Sequence, residues 1–179
     1  MACKSITLRG IVQDCEGNLG GVSEVWLINH DSVSAATAST EINGVSVDMV
    51  TGITVATGAS FVKFYVRKNT SSMTSTLNVN DNGSTFVTTE LHLVFARMDA
   101  VKRMEMNALA KEDIAALVKD ANGTWFYLGY DNPVTSNAGS GETGVQKGDN
   151  NQYSSTLLDD SNDYPFIVSP AAIEALGLG

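Results

Sequence analysis

The chain has 179 residues, of which 43% are apolar and 17% are charged, and its formal net charge is −9. This length and apolar content predict one folded domain over residues 1–179 and exclude an intrinsically disordered chain. The acidic balance disfavours binding to the outside of nucleic acid or to an anionic membrane surface. It leaves room for DNA as cargo, because an acidic wall lets DNA slide past without sticking.

Few sequence features bear on the compartment. Cys3 and Cys15 are the only cysteines, too few for a disulfide framework, which favours a reducing environment. The chain begins without an apolar signal region, and no run approaches the length of a membrane-spanning helix. We therefore expect neither secretion nor a membrane partner.

The first part of the chain, residues 1–97, predicts strands and hairpins. Ser32–Asn43 is small and polar without a helical period, so we predict a loop there with at most one short strand. Asn82-Gly83 predicts a type I′ turn, because this pair suits two positive φ angles. Alternating or β-branched segments predict strands at Ser5–Asp14, Val22–Asp31, Gly44–Thr57 (as two short strands broken at Thr51–Gly52), Ala59–Asn69, Ser71–Asp81 and Ser84–Arg97.

The second part, residues 98–179, opens with a predicted helix at Asp99–Leu109, capped by Asp99 and apolar at Val101, Met104 and Ala108, with Ala100 and Leu109 alongside. The elements expected after it are a hairpin at Asp113–Tyr130, a long polar loop at Asp131–Asn151, strands at Gln152–Asp160 and Phe166–Ser169, and a helix in Pro170–Gly179. Together these elements predict a mainly β fold, an antiparallel sandwich or barrel with one flanking short helix and a short C-terminal helix.

Sequence motifs that would indicate catalysis or the binding of phosphate or metal are weak. Ala138–Gly148 has the glycine spacing of a phosphate-binding loop, but Val145 stands where that loop needs lysine. The acidic turn Asp159–Asp163 lacks the later glycine and glutamate of an EF-hand loop. His30 and His92 belong to no metal-binding pattern. We therefore expect no catalytic residue, no metal and no cofactor, and a protein that is not an enzyme.

The order of elements, together with the segments DANGTWFYLGYDN, AGSGETG and GDNNQY within Leu117–Tyr153, resembles a known family. It is similar to the tail tube and tail ring proteins of tailed bacteriophages, especially those of the Bacteroides group and crAss-like phages. Over Met1–Arg97 the resemblance is one of architecture only. It implies a sandwich or barrel with a flanking helix, the fold shared by tubes of contractile injection systems.

The resemblance also implies a function. Subunits of that family join edge to edge in a ring, commonly six-fold, whose inner wall is a continuous β-barrel, and stacked rings form a conduit for DNA. The expected partners are then copies of this chain, neighbouring ring proteins and DNA passing without specific binding, in the virion tail and in the host cytoplasm during assembly. The residues expected at the subunit interface are Trp125, Tyr127, Tyr130, Asn132, Thr135, Gly139, Gly141, Thr143, Lys147 and Tyr153.

Two alternatives stay open. The additional hairpins before residue 97 and the Ser32–Asn43 segment exceed what a minimal tube subunit needs, which suits a head–tail connector, adaptor or tail-completion ring protein. The aromatic residues of Trp125–Tyr130 would equally suit a ligand-binding β-sandwich, for example a carbohydrate module.

Overall fold

The computed structural model describes residues 11, 17–42 and 45–178, which form a sandwich of two β-sheets. The mainly β fold with one flanking helix and a short C-terminal helix is confirmed. A single 3₁₀ turn, His30–Ser32, lies among the described elements, and the helices are α1 (Ala100–Leu109) and α2 (Pro170–Ala175). The strands are β1 (Val22–Asn29), β2 (Val33–Ile42), β3 (Val45–Val55), β4 (Val62–Phe64), β5 (Ser72–Val79), β6 (Thr85–Ala96), β7 (Ile114–Asp120), β8 (Trp125–Leu128), β9 (Thr135–Glu142), β10 (Gln152–Ser161) and β11 (Phe166–Val168).

The strands divide between a large and a small sheet. Sheet A has the order β2-β3-β11-β8-β7-β1-β4, and sheet B has the order β5-β6-β10-β9. Neighbouring strands are antiparallel except β11 and β3, which run parallel. Each sheet takes strands from both parts of the chain, residues 1–97 and 98–179, so the two parts are interleaved.

The space between the sheets holds the main core. Alternate residues of β6 point into it, so Leu91 and Leu93 are fully buried while Glu90 is exposed. The members of this core include Val25, Leu27, Ala116, Val118 and Leu128 from sheet A, with Leu91, Leu93, Phe95 and Leu157 from sheet B.

A second apolar layer covers the opposite face of sheet A. The Ser169 side chain accepts a hydrogen bond from the Ala172 N–H at 3.3 Å, which starts α2 after the strand β11. Ala172 and Ile173 of α2 then pack on Val50 and Tyr127. Because sheet A is covered on both faces, β1 does not show a clean alternation of polar and apolar residues.

Helix α1 closes one end of the sandwich. The carboxylate of Asp99 accepts the Lys102 N–H at 2.9 Å and pairs with its ammonium at 2.8 Å, and these contacts lower the pKa of Asp99. Leu109 enters the core, whereas Val101 and Met104 are 69% and 66% exposed. The predicted helix is therefore confirmed. Of its predicted apolar residues, Leu109 is buried as expected, whereas the prediction is wrong for Val101, Met104 and Ala108, which are exposed.

Several predicted elements need correction. Ser32–Asn43 is not a loop but contains β2, and β3 runs through Thr51–Gly52 with a register shift in place of a break. Only Val62–Phe64 of the predicted strand Ala59–Asn69 is a strand, and the predicted loop Asp131–Asn151 contains β9. Since β2 and β9 lie at sheet edges, backbone pairing holds them, and their small polar side chains carry little periodic signal.

Two tight hairpins whose turns lie in the described residues share one turn geometry. Between β5 and β6, the Gly83 N–H donates to Asn80 O and the Asn80 N–H donates to Ser84 O, both at 2.9 Å. Gly83 has a φ of +82°, whereas Asn82 has no positive φ. This is a three-residue loop with glycine in a bulge, so the predicted type I′ turn is wrong. The β7–β8 turn repeats the pattern at Gly123.

Two expectations concern residues that lie outside the described part of the chain. These are the predicted strand Ser5–Asp14, of which only Ile11 is described, and the state of Cys3 and Cys15.

We expect Leu157→Ala to lower the free energy of unfolding by about 2–5 kcal/mol, because its side chain fills the space between the sheets. Leu158→Ala is the matched control, since the next residue of the same strand points out of the sandwich and is only half-buried. Urea denaturation of both variants measures the difference. Equal losses would contradict the assigned faces of β10.

Candidate functional site

Three of the expected interface residues pack inside the chain. Trp125 and Tyr127 of β8 are 8% and 2% exposed within the layer beneath α2. The Tyr130 ring packs against Phe166, with ring centroids 4.6 Å apart and ring planes inclined by 55°. Other residues of the same chain already pack against these aromatic rings, so we do not include them in the candidate site.

Asn132 belongs to the crossover Gly129–Val134, which carries the chain from sheet A to sheet B. Its side-chain amide donates to Asp160 O at 2.8 Å, and the neighbouring Asp131 carboxylate accepts the Asn162 N–H at 3.1 Å. Gly129, with a φ of +93°, lets the crossover pass close to Ala115. Asn132 is exposed, but its hydrogen bond serves the attachment of this crossover to β10.

Thr135, Gly139 and Gly141 lie on β9, which is an edge strand of sheet B. β9 pairs with β10 on one side, and no described strand pairs with its other side. Its residues are exposed apart from the partly buried Ser136. The expected interface residues on β9 are thus brought together on one open sheet edge.

Gly141 has a structural role that the sequence did not reveal. It lies directly opposite Tyr153, and a Cβ at Gly141 would stand 2.8 Å from the Tyr153 ring and 3.0 Å from the Met98 methyl group. The ring therefore rests on bare strand backbone. Tyr153 helps to hold β9 against the core from inside the chain.

The loop between β9 and β10 is a structured turn. The Asp149 carboxylate accepts the N–H groups of Val145 and Gln146 at 2.8 and 2.7 Å, which lowers the pKa of Asp149. Thr143 and Lys147 are exposed there, and the Val145 side chain is 98% exposed. The Val145 side chain is thus an exposed apolar tip on a turn whose backbone is held by Asp149.

The opposite edge of sheet B is β5, which pairs with β6 and with no other strand of the described residues. Leu77 and Val79 lie on its inward side, yet they are 49% and 68% exposed. Among the described strands, sheet B therefore has two open edges, and the β5 edge also exposes apolar side chains.

The outer face of sheet B consists of the even-numbered residues of β5, β6 and β10 with Thr135, Ala138, Ser140 and Glu142 of β9. Cross-strand hydrogen bonds connect it: Thr88 donates to the Asp160 carboxylate at 2.7 Å, and Gln152 donates to the Glu142 carboxylate at 2.6 Å. Glu90, Asp160 and Glu142 supply its charge, and these four described strands place no lysine or arginine on it. The exposed side chains of the face are mainly polar and acidic, while its larger apolar members, Phe86, Leu158 and Val94, are partly or fully buried.

Arg67 and His92 place basic side chains at this face. The Arg67 guanidinium reaches its margin, donating to Asn150 Oδ1 at 2.6 Å and to Gln152 Oε1 at 3.3 Å. His92 lies in its middle, with Nδ1 3.2 Å from Thr156 Oγ1. Both side chains are thus held by neutral partners.

Asp159 is a buried carboxylate on the inner side of sheet B. Burial raises its pKa to about 6, against a backbone hydrogen bond from Gly129, and the charges of Asp131 and Asp160 raise it further. Its Oδ1 atom has no hydrogen-bond partner among the described residues. Burial, and then the charge of Asp159, also raise the pKa of Tyr127 to about 12.

The comparisons leave the family open. No family model, curated protein or solved structure matches the chain. Within the described residues, no group of three or more His, Cys, Asp or Glu side chains is placed to hold a metal ion. No helix there is long and apolar enough to span a membrane.

We expect Gly141→Ala to destabilise the fold by roughly 1 kcal/mol, because the new methyl group displaces the Tyr153 ring. Gly139→Ala is the control on the same strand. There the nearest atom to a Cβ is Ser154 O at 3.6 Å, and the loss of glycine freedom in the unfolded chain favours folding. Thermal unfolding compares the two, and a cost at Gly139 equal to that at Gly141 would contradict the packing described.

Asp159 predicts a pH dependence of stability. Its folded-state pKa of about 6 lies above the unfolded value of about 3.9, so its stabilising contribution is present below about pH 4 and is lost as the pH rises through about 6. The free energy of unfolding of Asp159→Asn, relative to that of the wild type, should therefore rise by on the order of 2 kcal/mol between pH 4 and pH 7.5. Urea denaturation across this range measures the gain.

Asp163→Asn, at an exposed carboxylate, shows whether removing any acidic group produces the same effect. A difference between Asp159→Asn and the wild type that does not change with pH would refute a protonated, buried Asp159.

Proposed function

We propose that this chain is a structural subunit that joins copies of itself edge to edge into a ring, and that the ring forms part of a bacteriophage tail through which DNA passes. The observation that carries the proposal is sheet B: in the described part of the chain it has four strands, an open strand at each edge and a mainly polar, acidic outer face. The resemblance over Leu117–Tyr153 supplies the biological setting.

The topology of sheet B suits repetition. Its strands alternate in direction, so the edge strands β5 and β9 run opposite to each other. β5 of one copy can therefore pair antiparallel with β9 of the next, and the sheet continues without a change of pattern. Such a head-to-tail contact closes into a ring when its rotation divides the circle. It also covers edges that would otherwise invite aggregation.

The size of such a ring suits a conduit. Six copies with four strands each give roughly 24 strands, more than the 16–18 strands that already leave a water-filled channel in porins. The outer face of sheet B would line this channel. Its carboxylates repel phosphate groups, and its hydroxyl groups are uncharged, so DNA would meet no fixed cation on the strands themselves.

The hairpin of β2 and β3 offers a second contact between copies. β3 pairs with β11 only at Met49 and Val50, while its ladder with β2 extends from Val45 to Val55. Among the described strands, the backbone of much of the hairpin is therefore paired only within the hairpin, while Val33, Ala36, Ile53 and Val55 pack on the layer beneath α2. In the proposed ring, we expect the hairpin to contact an adjacent subunit.

The alternatives fare differently. A connector or tail-completion ring would use the same edges, and it differs from a tube subunit in forming single rings that do not stack. A ligand-binding module built on the aromatic residues would need Trp125 and Tyr127 at the surface, and both are buried. We therefore favour assembly.

Disulfide crosslinking between copies tests the proposed edge contact. In a background where Cys3 and Cys15 are serine, one cysteine is placed on β5 (Thr74 or Thr76) and one on β9 (Ala138 or Ser140), all on the outer face. Side chains directly opposite across two strands are close enough to bridge. Mild oxidation should give a ladder of covalent multimers that ends at the number of subunits in the ring.

Chains with a single cysteine are the controls, because one cysteine cannot extend a ladder beyond a dimer. Electron microscopy of the uncrosslinked protein should show rings or tubes. A protein that stays monomeric at high concentration and gives no ladder for any of the four pairs would refute edge-to-edge assembly.

A further inference from the structure

A cavity of about 410 Å³ lies between helix α1 and the strands β1 and β4 of sheet A. Its floor is apolar and includes the buried side chains of Leu27, Leu109 and Ile114. Glu105 and Glu112 also line it, and no lysine, arginine or histidine lies among the described residues of its wall. A volume of roughly 300–1,000 Å³ and an apolar lining with few polar groups are typical of a site for a small molecule.

The two carboxylates share one face of the helix. Glu105, Ala108 and Glu112 occupy positions i, i+3 and i+7, which lie above one another on a helix. The Glu112 N–H donates to Ala108 O at 3.0 Å, so the helical spacing continues past the end of α1. At about 1.5 Å per residue, the two glutamates are about 10 Å apart along the axis. The exposed Ala108 lies between them, and its small side chain leaves this space open.

Neither carboxylate is neutralised within the described part of the chain. The acidic residues in the ion pairs found there are Glu24 and Asp99. Past Glu105 the groove continues into a second cavity, whose described lining includes Lys63 and Lys102 but no further acidic residue. A cation is therefore favoured between the two glutamates and is not favoured beyond the first of them.

We propose that the cavity binds a linear aliphatic diamine. One ammonium group pairs with Glu105 and the other with Glu112, while the methylene chain crosses Ala108 and covers the apolar floor. Each ammonium group offers three donors to carboxylate oxygens, and each methylene group removed from water adds to the affinity. The net charge of −9 also attracts cations to the protein. No strand of sheet B contributes to the described lining, so binding here is independent of ring assembly.

Nuclear magnetic resonance titration of the full chain with cadaverine, a diamine with a five-carbon chain, tests the site. We expect saturable shifts of the amide signals of Glu105, Ala108 and Glu112 at millimolar cadaverine. Trimethylenediamine is too short to reach both carboxylates, and pentylamine has a single ammonium group. Both should therefore bind roughly tenfold more weakly than cadaverine. Added salt should weaken cadaverine binding, because it screens the ion pairs.

Two variants locate the site. E105Q/E112Q removes both carboxylates, and A108L fills the space between them with a residue of high helix propensity at an exposed position. Each should weaken cadaverine binding roughly tenfold. The control D163N/E174Q removes two exposed carboxylates outside the cavity and should bind cadaverine like the wild type. Thermal unfolding checks that A108L is folded, and E105Q/E112Q decides the result if it is not.

A lysine side chain of a partner protein would offer the same kind of ammonium group, and N-acetyl-lysine methylamide serves as its probe. Equal affinity for this compound and for cadaverine would overturn a diamine site. Absence of saturable shifts with cadaverine would overturn it too, and so would unchanged binding in either folded variant. Electron micrographs of rings test the proposed function separately, so the failure of one proposal leaves the other standing.

Discussion

The pairing of β6 with β10 is the constraint on which the other features depend. It is an unbroken antiparallel ladder that runs from Gln152 opposite Ala96 to Ser161 opposite Val87. This register turns Leu91 and Leu157 towards sheet A and turns Glu90 and Asp160 outward. A slip by one residue would exchange these sets and bury carboxylates in place of leucines. The apolar core therefore fixes the composition of the outer face.

The same ladder also determines where sheet B can grow. β6 and β10 are central, so β5 and β9 occupy the edges. β9 is held by pairing with β10 and by the Tyr153 ring above Gly141, and α1 lies behind it through the Met106 methyl group near Gly139. The central strands thus hold β9 at the edge of sheet B, although the small side chains of β9 contribute little to the core.

Much of the fold could be predicted from local signals. Strong alternation marked β5, β6 and β10, the Asp99 cap marked α1, and Pro170 marked α2. Backbone pairing without a regular pattern of buried side chains leaves no such signal, so the sequence predicts a loop with at most one short strand at β2 and a loop at β9. The sequence predicts helix α1 but not which of its residues face the core. Whether Met104 or Leu109 is buried depends on where the two sheets end.

The candidate site shows the same division. The exposed residues of β9 and its turn were predicted from composition, since small and polar residues avoid the core. Trp125 and Tyr127 were expected at the interface and are buried beneath α2; the sequence does not separate these two positions, because an aromatic residue on a strand suits a core and an interface equally. The edge strands β5 and β9 come from segments far apart in sequence, and their place in sheet B becomes visible only when the described strands are aligned.

The absence of large apolar side chains along β9 bears on how a ring would grow. Each contact between β5 and β9 would rest largely on backbone hydrogen bonds, which are individually weak in water. Every open chain of subunits keeps one free β5 and one free β9, whereas the last contact joins two ends already held near each other. Closure then costs little additional translational freedom. Incomplete rings would therefore be scarce, and subunits and complete rings would dominate the population.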